Sequence, residues 1–186
     1  MKDKKRCSWC NEKNPIYADY HDNEWCVPSF DEAYLYEMLI LESFQAGLSW
    51  ECVLNKRVAF RAAFDGFDIG RVCEYGEEKI SALMENKSII RNRRKINASI
   101  KNSRIFREIS AEFGGFYNYL LHFFGGEIIY ETDKTTNNLS DKISADLKKR
   151  GMSFVGSTII YSYLQAIGVI YSHERDCYLH KTAKQD

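Results

Sequence analysis

The chain has 186 residues, 45% of them apolar, which is enough for a packed core and too many for disorder. Its 26 Lys and Arg balance 26 Asp and Glu, so net charge excludes a global pull toward nucleic acid or anionic membrane, and any such site must be a local patch. No apolar run reaches about 18 residues and "MKDKKRCSWC" does not read as a signal peptide, so a soluble, cytoplasmic protein of one domain over residues 1–186 is expected, with no membrane partner. Six cysteines in such a compartment suit metal ligands or buried thiols better than disulfides.

The two prolines, Pro15 and Pro28, both precede the first long helix. Apolar spacing predicts that helix over 31–46, stopped by Gly47. Ser49 can cap a second helix running to about Phe64, where "DGFD" ends it. Short helices are expected over 68–75 and 77–85, on either side of Gly76. A long helix over 88–113 ends at Gly114-Gly115, and an aromatic-rich one over 116–124 ends at Gly125-Gly126. "IIYETDKTTNNLS" is polar and irregular after its first residues. Ser140 can cap a helix over 141–150, stopped by Gly151, and the last helix runs over 157–170. No stretch alternates as a strand should, so the fold is read as all-α.

Several groups of residues can carry chemistry. Glu42 falls in line with Leu35, Met38, Leu39 and Ala46 on a helix that is apolar on more than one side. A carboxylate there needs a partner or must protonate. Tyr17, Tyr20 and Trp25 of "PIYADYHDNEW", with Trp9 upstream and Trp50 downstream, supply aromatic faces. An acid among such faces suits a flat cationic or hydrogen-bond-donating ligand. The alternative is ordinary core aromatics and a glutamate paired with a nearby donor.

Cys7, Cys10 and His21 lie near the start of the chain, and His173, Cys177 and His180 near its end. "HERDC" places His173 and Cys177 one helical turn apart, and "CSWC" has a zinc-knuckle spacing. Two thiolates and two imidazoles make a closed tetrahedral site, which favours a structural clip joining the termini over a catalytic metal. Spacing leaves open which four of the six would bind, and also that they are unrelated residues.

"LKKRGMSFVGSTIIYSYLQAIG", over 147–168, has two helices around a short hairpin bounded by Gly151 and Gly156. Ser157 and Thr158 open the second helix, whose free N–H groups and dipole can hold a phosphate. Lys148, Lys149 and Arg150 add local positive charge. This is the layout of a helix-hairpin-helix DNA clamp, or else of a plain αα-hairpin. In "IIRNRRKINASIKNSR", Ile89, Ile96 and Ile100 share one face and Arg91, Arg94, Lys95 and Lys101 the other. That pattern favours a solvated helix face over a phosphate-tracking one.

Together "RCSW", "YHDNEW", "LESFQAGLSW", "KKRGMSFVGSTIIYSYLQAIG" and the closing His173–Cys177 pair resemble the bacterial 3-methyladenine DNA glycosylase I (Tag) family, from about Arg6 to Cys177. The resemblance implies a helix-hairpin-helix glycosylase fold, with that element over about 141–170. It also implies one structural zinc ion held by Cys7, His21, His173 and Cys177, clipping 7–21 to 173–177. Glu42, Tyr20 and Trp50 would line the pocket for the excised base, with Tyr17 close by and Glu42 as the catalytic residue. Gly47 and Leu48 would approach the gap left in the DNA, and Lys149, Arg150, Gly156, Ser157 and Thr158 would hold its backbone. The implied substrate is alkylated double-stranded DNA, and the products are 3-methyladenine and an abasic site, from a monomeric enzyme. Cys26 stands after "HDNEW" where the family pattern leads one to expect glycine, and Cys10 and His180 are extra potential ligands. Two rivals are a zinc-stapled DNA-binding module, which would not need Glu42 and its aromatics, and a zinc hydrolase, which would need an open metal position.

Overall fold

The computed structural model describes residues 4–182, and its architecture is helical throughout except for one short strand pair. The first helix, α1 (Pro15–Asn23), starts where Asn14 accepts from the Ile16 amide and Pro15 occupies the first turn. The aromatic stretch read from sequence is thus helical, and Tyr17, Tyr20 and His21 are buried together at spacings of three and four.

Helix α2 (Glu32–Gln45) is the central element: Asp31 caps it, and every residue from Leu35 to Phe44 is buried. A helix buried on all sides must be packed all round, and α2 touches α3 (Trp50–Leu54), α7 (Arg93–Phe113), α8 (Phe116–Phe124) and α10 (Ser157–Ala166). The single helix expected from Ser49 to Phe64 is two, α3 and α4 (Arg57–Ala63), separated at Asn55 and Lys56. Past that break, Arg57 turns inward to Glu37 at 2.7 Å and Glu24 at 2.6 Å.

Two short helices follow, α5 (Ile69–Cys73), capped by Asp68, and α6 (Glu77–Glu85). Helix α7 begins five residues later than the expected 88, because Asn92 accepts from the Lys95 amide and sets the start at Arg93. Ile89 is buried but precedes the helix, whereas Ile96 and Ile100 are buried on it.

Helix α9 (Asn138–Lys149) starts at a capping box in which Asn137 and Ser140 each satisfy the other's backbone. Helix α10 ends at Ala166, earlier than the expected 170. Gly168 turns the chain at φ +75, and a Cβ there would sit 2.3 Å from the Pro28 nitrogen. The released segment forms β2 (Ile170–Tyr171), parallel to β1 (Ile129–Tyr130) with Ile129 opposite Ile170. Two residues per strand are too few for the alternation by which strands are read from sequence. No helix among the described residues is long and apolar enough to cross a membrane.

Candidate functional site

A cavity of about 340 Å³ opens between α1, α2, the start of α3 and α10. Tyr17 and Tyr20 come from α1, Glu42 and Gln45 from one turn of α2, and Trp50 from the first residue of α3. Tyr20 and Trp50 face each other at 5.5 Å between centroids, tilted by 52°. Ser49 accepts from the Cys52 amide and so fixes the first turn of α3, which carries Trp50.

Glu42 is 3% exposed, and its Oε2 has no hydrogen-bond partner. Gln45 Oε1 and Trp50 Nε1 are likewise buried and unpaired, and both residues line the same cavity. Buried polar atoms are normally satisfied, so two acceptors and a donor on residues that line one cavity suit a ligand with polar groups of its own. Burial raises the Glu42 carboxyl well above the usual carboxylate range. Burial and the neighbouring Glu42 likewise push up the Tyr20 phenol. Burial therefore favours the neutral acid, and a cation beside it would favour the carboxylate.

Tyr17, Tyr20, Glu42 and Trp50, expected from the sequence to share a pocket, line this one cavity. The sequence reading missed Gln45, which lies three residues after Glu42 on α2 and was open to detection by that spacing. It also missed Ser162 and Gln165 of α10, and Asp133 and Lys134 on the loop before α9. Nothing in the local sequence points those last two at a pocket.

Beside the cavity, Cys7, His21, His173 and Cys177 are all buried, and their ligand atoms lie within 4.8 Å of one another. The Cys177 sulfur is 3.6 Å from His21 Nε2 and 3.5 Å from His173 Nδ1, and the Cys7 sulfur is 3.6 Å from His173 Nδ1. A tetrahedral zinc ion with ordinary bond lengths separates S and N ligands by about 3.6 Å, so the donor set and its spacing fit such an ion. His21 Nδ1 meets Asp22 at 2.8 Å, which leaves Nε2 to the cluster. Arg6 in turn grips Asp22 at 2.8 and 2.7 Å. Burial would raise the Asp22 carboxyl, but the bonds from Arg6 and His21 outweigh it and hold it far below the usual carboxylate range.

The other two candidate ligands are placed elsewhere. The Cys10 thiol points to the Tyr17 carbonyl at 3.9 Å, and His180 Nδ1 to the His173 carbonyl at 2.8 Å. Cys26 keeps the left-handed backbone that a glycine would favour, with φ 64, and its sulfur accepts from the Ser172 amide at 3.3 Å. The four-residue cluster also buttresses the pocket. Trp9 and Trp25 line the cavity, and Trp9 packs on His21 at 5.3 Å while Trp25 packs on His173 at 4.8 Å.

At the other end of α10, the hairpin is pinned from behind. Asn102 of α7 donates to the Ser153 carbonyl at 2.8 Å and accepts from its amide at 2.9 Å, and Ser144 donates to the Val155 carbonyl at 2.7 Å. Gly151 and Phe154 both take positive φ. Gly156 is the N-cap of α10 and offers no side-chain cap. Ser157 bonds Ser140 and Asp141, and Thr158 is exposed. Lys148 and Lys149 are exposed. Arg150, expected to hold a phosphate, is bonded to Asp146 at 2.7 Å and to Glu112 at 2.5 and 3.1 Å.

Gly47 takes φ +78 in the turn after α2, and the next residue, Leu48, is 40% exposed at the tip of that turn. Lys95 departs from the solvated face expected for it: it is buried and reaches back to the end of α2.

The chain is similar to known proteins in both sequence and fold. The DNA-3-methyladenine glycosylase 1 of Escherichia coli (strain K12) is 40% identical over 178 residues, covering 92% of this chain and 95% of that protein. A solved structure of 3-methyladenine DNA glycosylase I (TAG) superposes with TM-score 0.90 at 40% identity, covering 95% of this chain and all of that one. The Staphylococcus aureus 3-methyladenine DNA glycosylase I, solved for the structural basis of 3-methyladenine recognition, gives TM-score 0.90 at 28% identity, covering 97% and 99%. Residues 9–180 match the methyladenine glycosylase family, and the chain belongs to it.

Proposed function

We propose that the protein hydrolyses the N-glycosidic bond of 3-methyladenine in alkylated double-stranded DNA, as a single-domain, monomeric, cytoplasmic base-excision repair enzyme. The observation that carries this reading is the trio of unpaired atoms, Glu42 Oε2, Gln45 Oε1 and Trp50 Nε1, around one aromatic-walled cavity. An adenine methylated at N3 is cationic while joined to sugar and carries an amino donor. Glu42 accepts from that amino group, and Tyr20 and Trp50 offer their faces to the electron-poor ring, with Tyr17 beside them. A damaged base is also the least costly to flip out of the duplex.

The chemical step needs little acid catalysis. The bond from C1′ to the ring nitrogen breaks with its electron pair passing to the base, which leaves as a neutral molecule. Water adds to C1′ and releases a proton to solvent, giving an abasic site. Glu42, ionised opposite the cation, binds the base and stabilises charge. No lysine is expected to act as a Schiff-base nucleophile, so strand cleavage is not expected.

In this reading the α9–α10 unit is a helix-hairpin-helix clamp. The uncapped N–H groups after Gly156, with Ser157 and Thr158, hold a phosphate, and Lys149 adds charge. Arg150 braces the hairpin through Asp146 and Glu112 rather than reaching the DNA. Leu48, on the Gly47 turn, enters the gap left by the flipped base. Cys7, His21, His173 and Cys177 would hold one structural zinc ion, which supplies no catalytic position and ties 7–21 to 173–177. The test is incubation with N-methylated duplex DNA and identification of the released bases. Release of 3-methyladenine supports the reading, and DNA binding without any release would make the protein a binding module instead.

A further inference from the structure

The cations near the start of α7 fall into three groups. Arg93 pairs with Glu77 at 2.6 Å, and Lys95 is buried. Arg91, Arg94 and Lys101 are exposed, and no carboxylate lies within ion-pairing distance of them among the described residues. Their placement is not scattered. Arg94, Asn97 and Lys101 are three and four residues apart on one face of α7 and line a hollow with Lys148 and Gly156 of the α9–α10 hairpin. The Lys101 ammonium reaches the hairpin itself, since a Cβ built on Gly151 would lie 3.3 Å from it. A second hollow, lined by Arg91 and Arg94, abuts Gly47 and Leu48. Arg94 and Phe154 belong to both hollows, so the two form one groove from the Leu48 turn to the hairpin.

Not one Asp or Glu lines either hollow. In a chain whose 26 cations match 26 anions, a groove with five basic side chains and no acid is a strong local departure. The base cavity differs, with Glu42, Asp133 and Glu174 in its wall. A solvated helix face would be expected to intersperse acids with its bases.

We infer that Arg91, Arg94 and Lys101 form a second phosphate-binding tract for DNA, distinct from the hairpin and running from it to the Leu48 turn. Its ligand is the phosphodiester backbone, held by point charges and by the Asn97 amide, with no base to read. The hairpin grips one stretch of backbone, and the tract holds another next to the point where Leu48 enters the duplex. A second anchor between the hairpin and the wedge resists the recoil of a duplex from which a base has been taken. This inference rests on the glycosylase reading for its ligand.

The test compares two triple variants with wild type, each binding duplex DNA over a salt series. One is Arg91→Ala, Arg94→Ala, Lys101→Ala, and the other is Lys148→Ala, Lys149→Ala, Thr158→Ala. Each phosphate that a variant no longer neutralises should lower the log–log salt slope by about 0.9. The expected result is a smaller slope in both, with 3-methyladenine affinity and melting temperature of the α7 variant unchanged. A wild-type slope for the α7 variant beside a reduced slope for the hairpin variant would overturn the tract and leave the glycosylase reading standing. Wild-type slopes in both would overturn the tract and the hairpin clamp together. A reduced slope in the α7 variant alone would assign the phosphate contacts to α7.

Discussion

Lys95 donates to the Ala46 carbonyl at 2.6 Å and to the Phe44 carbonyl at 2.7 Å. A buried ammonium thus closes the C-terminus of α2, where backbone carbonyls point outward without helical partners and the helix dipole is negative. Burial pulls the Lys95 pKa down, so the charge is held there at a desolvation cost. The next two residues are Gly47 and Leu48. Lys95→Met should lower the melting temperature and reduce excision from duplex DNA, while 3-methyladenine affinity falls much less. Equal losses in both assays would show that the lysine supports the whole pocket rather than the Leu48 turn.

Asn102 is fully buried and holds both polar groups of Ser153. Asn102→Ala removes two hydrogen bonds to the backbone of Ser153, itself an exposed residue, at about 0.5–1.5 kcal/mol each. At roughly 2–4 °C per kcal/mol for a chain of this size, the melting temperature should drop by several degrees, and DNA binding should weaken with it. An unchanged melt and unchanged DNA binding would remove the clamp from the account.

The metal cluster predicts one zinc per chain. Metal analysis should find it lost in Cys7→Ser and Cys177→Ser and retained in Cys10→Ser, whose thiol faces the Tyr17 carbonyl. Because Trp9 and Trp25 pack on His21 and His173, zinc removal should also weaken 3-methyladenine binding. Loss of zinc from Cys10→Ser but not from Cys7→Ser would reverse the assignment.

The raised pKa of Glu42 has a sign in the stability curve. Above the unfolded value near 4.5, the folded state keeps a proton that the unfolded state releases. Stability from this group therefore falls as pH rises, until the folded pKa is passed. Glu42→Gln removes that loss, so its melting temperature should exceed that of wild type at pH 7–8 by more than at pH 5. A difference independent of pH would mean that Glu42 is ionised in the folded protein.

Much of this was legible in the sequence because it is local. The acid at Glu42 stands out against Leu39, Ile40 and Leu41, and the His173–Cys177 spacing is one helical turn. The start of α3 follows from Ser49 as its cap, and that of α2 lies one residue from the expected Asp31, which is its cap. What was not legible depends on long-range contact. Lys95 and Arg150 look solvent-bound by their neighbours in sequence, yet Phe44, Ala46, Asp146 and Glu112 claim them in space. The four clustered residues, Cys7, His21, His173 and Cys177, could be chosen from six candidates only by resemblance, since Cys10 and His180 have equally plausible spacing. The short β1–β2 pair needs a partner about forty residues away, which no local pattern announces.

The central claim is that Glu42 is an acid kept unpaired for a base. It is tested most directly by measuring the bases released from methylated duplex DNA by wild type and by Glu42→Ala. Wild type should release 3-methyladenine and little 7-methylguanine, because guanine presents a carbonyl where adenine presents the amino group. Two facing acceptors leave a buried group unpaired, a penalty of about 1–3 kcal/mol or roughly 5- to 150-fold. Glu42→Ala should lose 3-methyladenine release while binding DNA as wild type does. Wild-type release by Glu42→Ala would contradict the account and make the glutamate a structural residue.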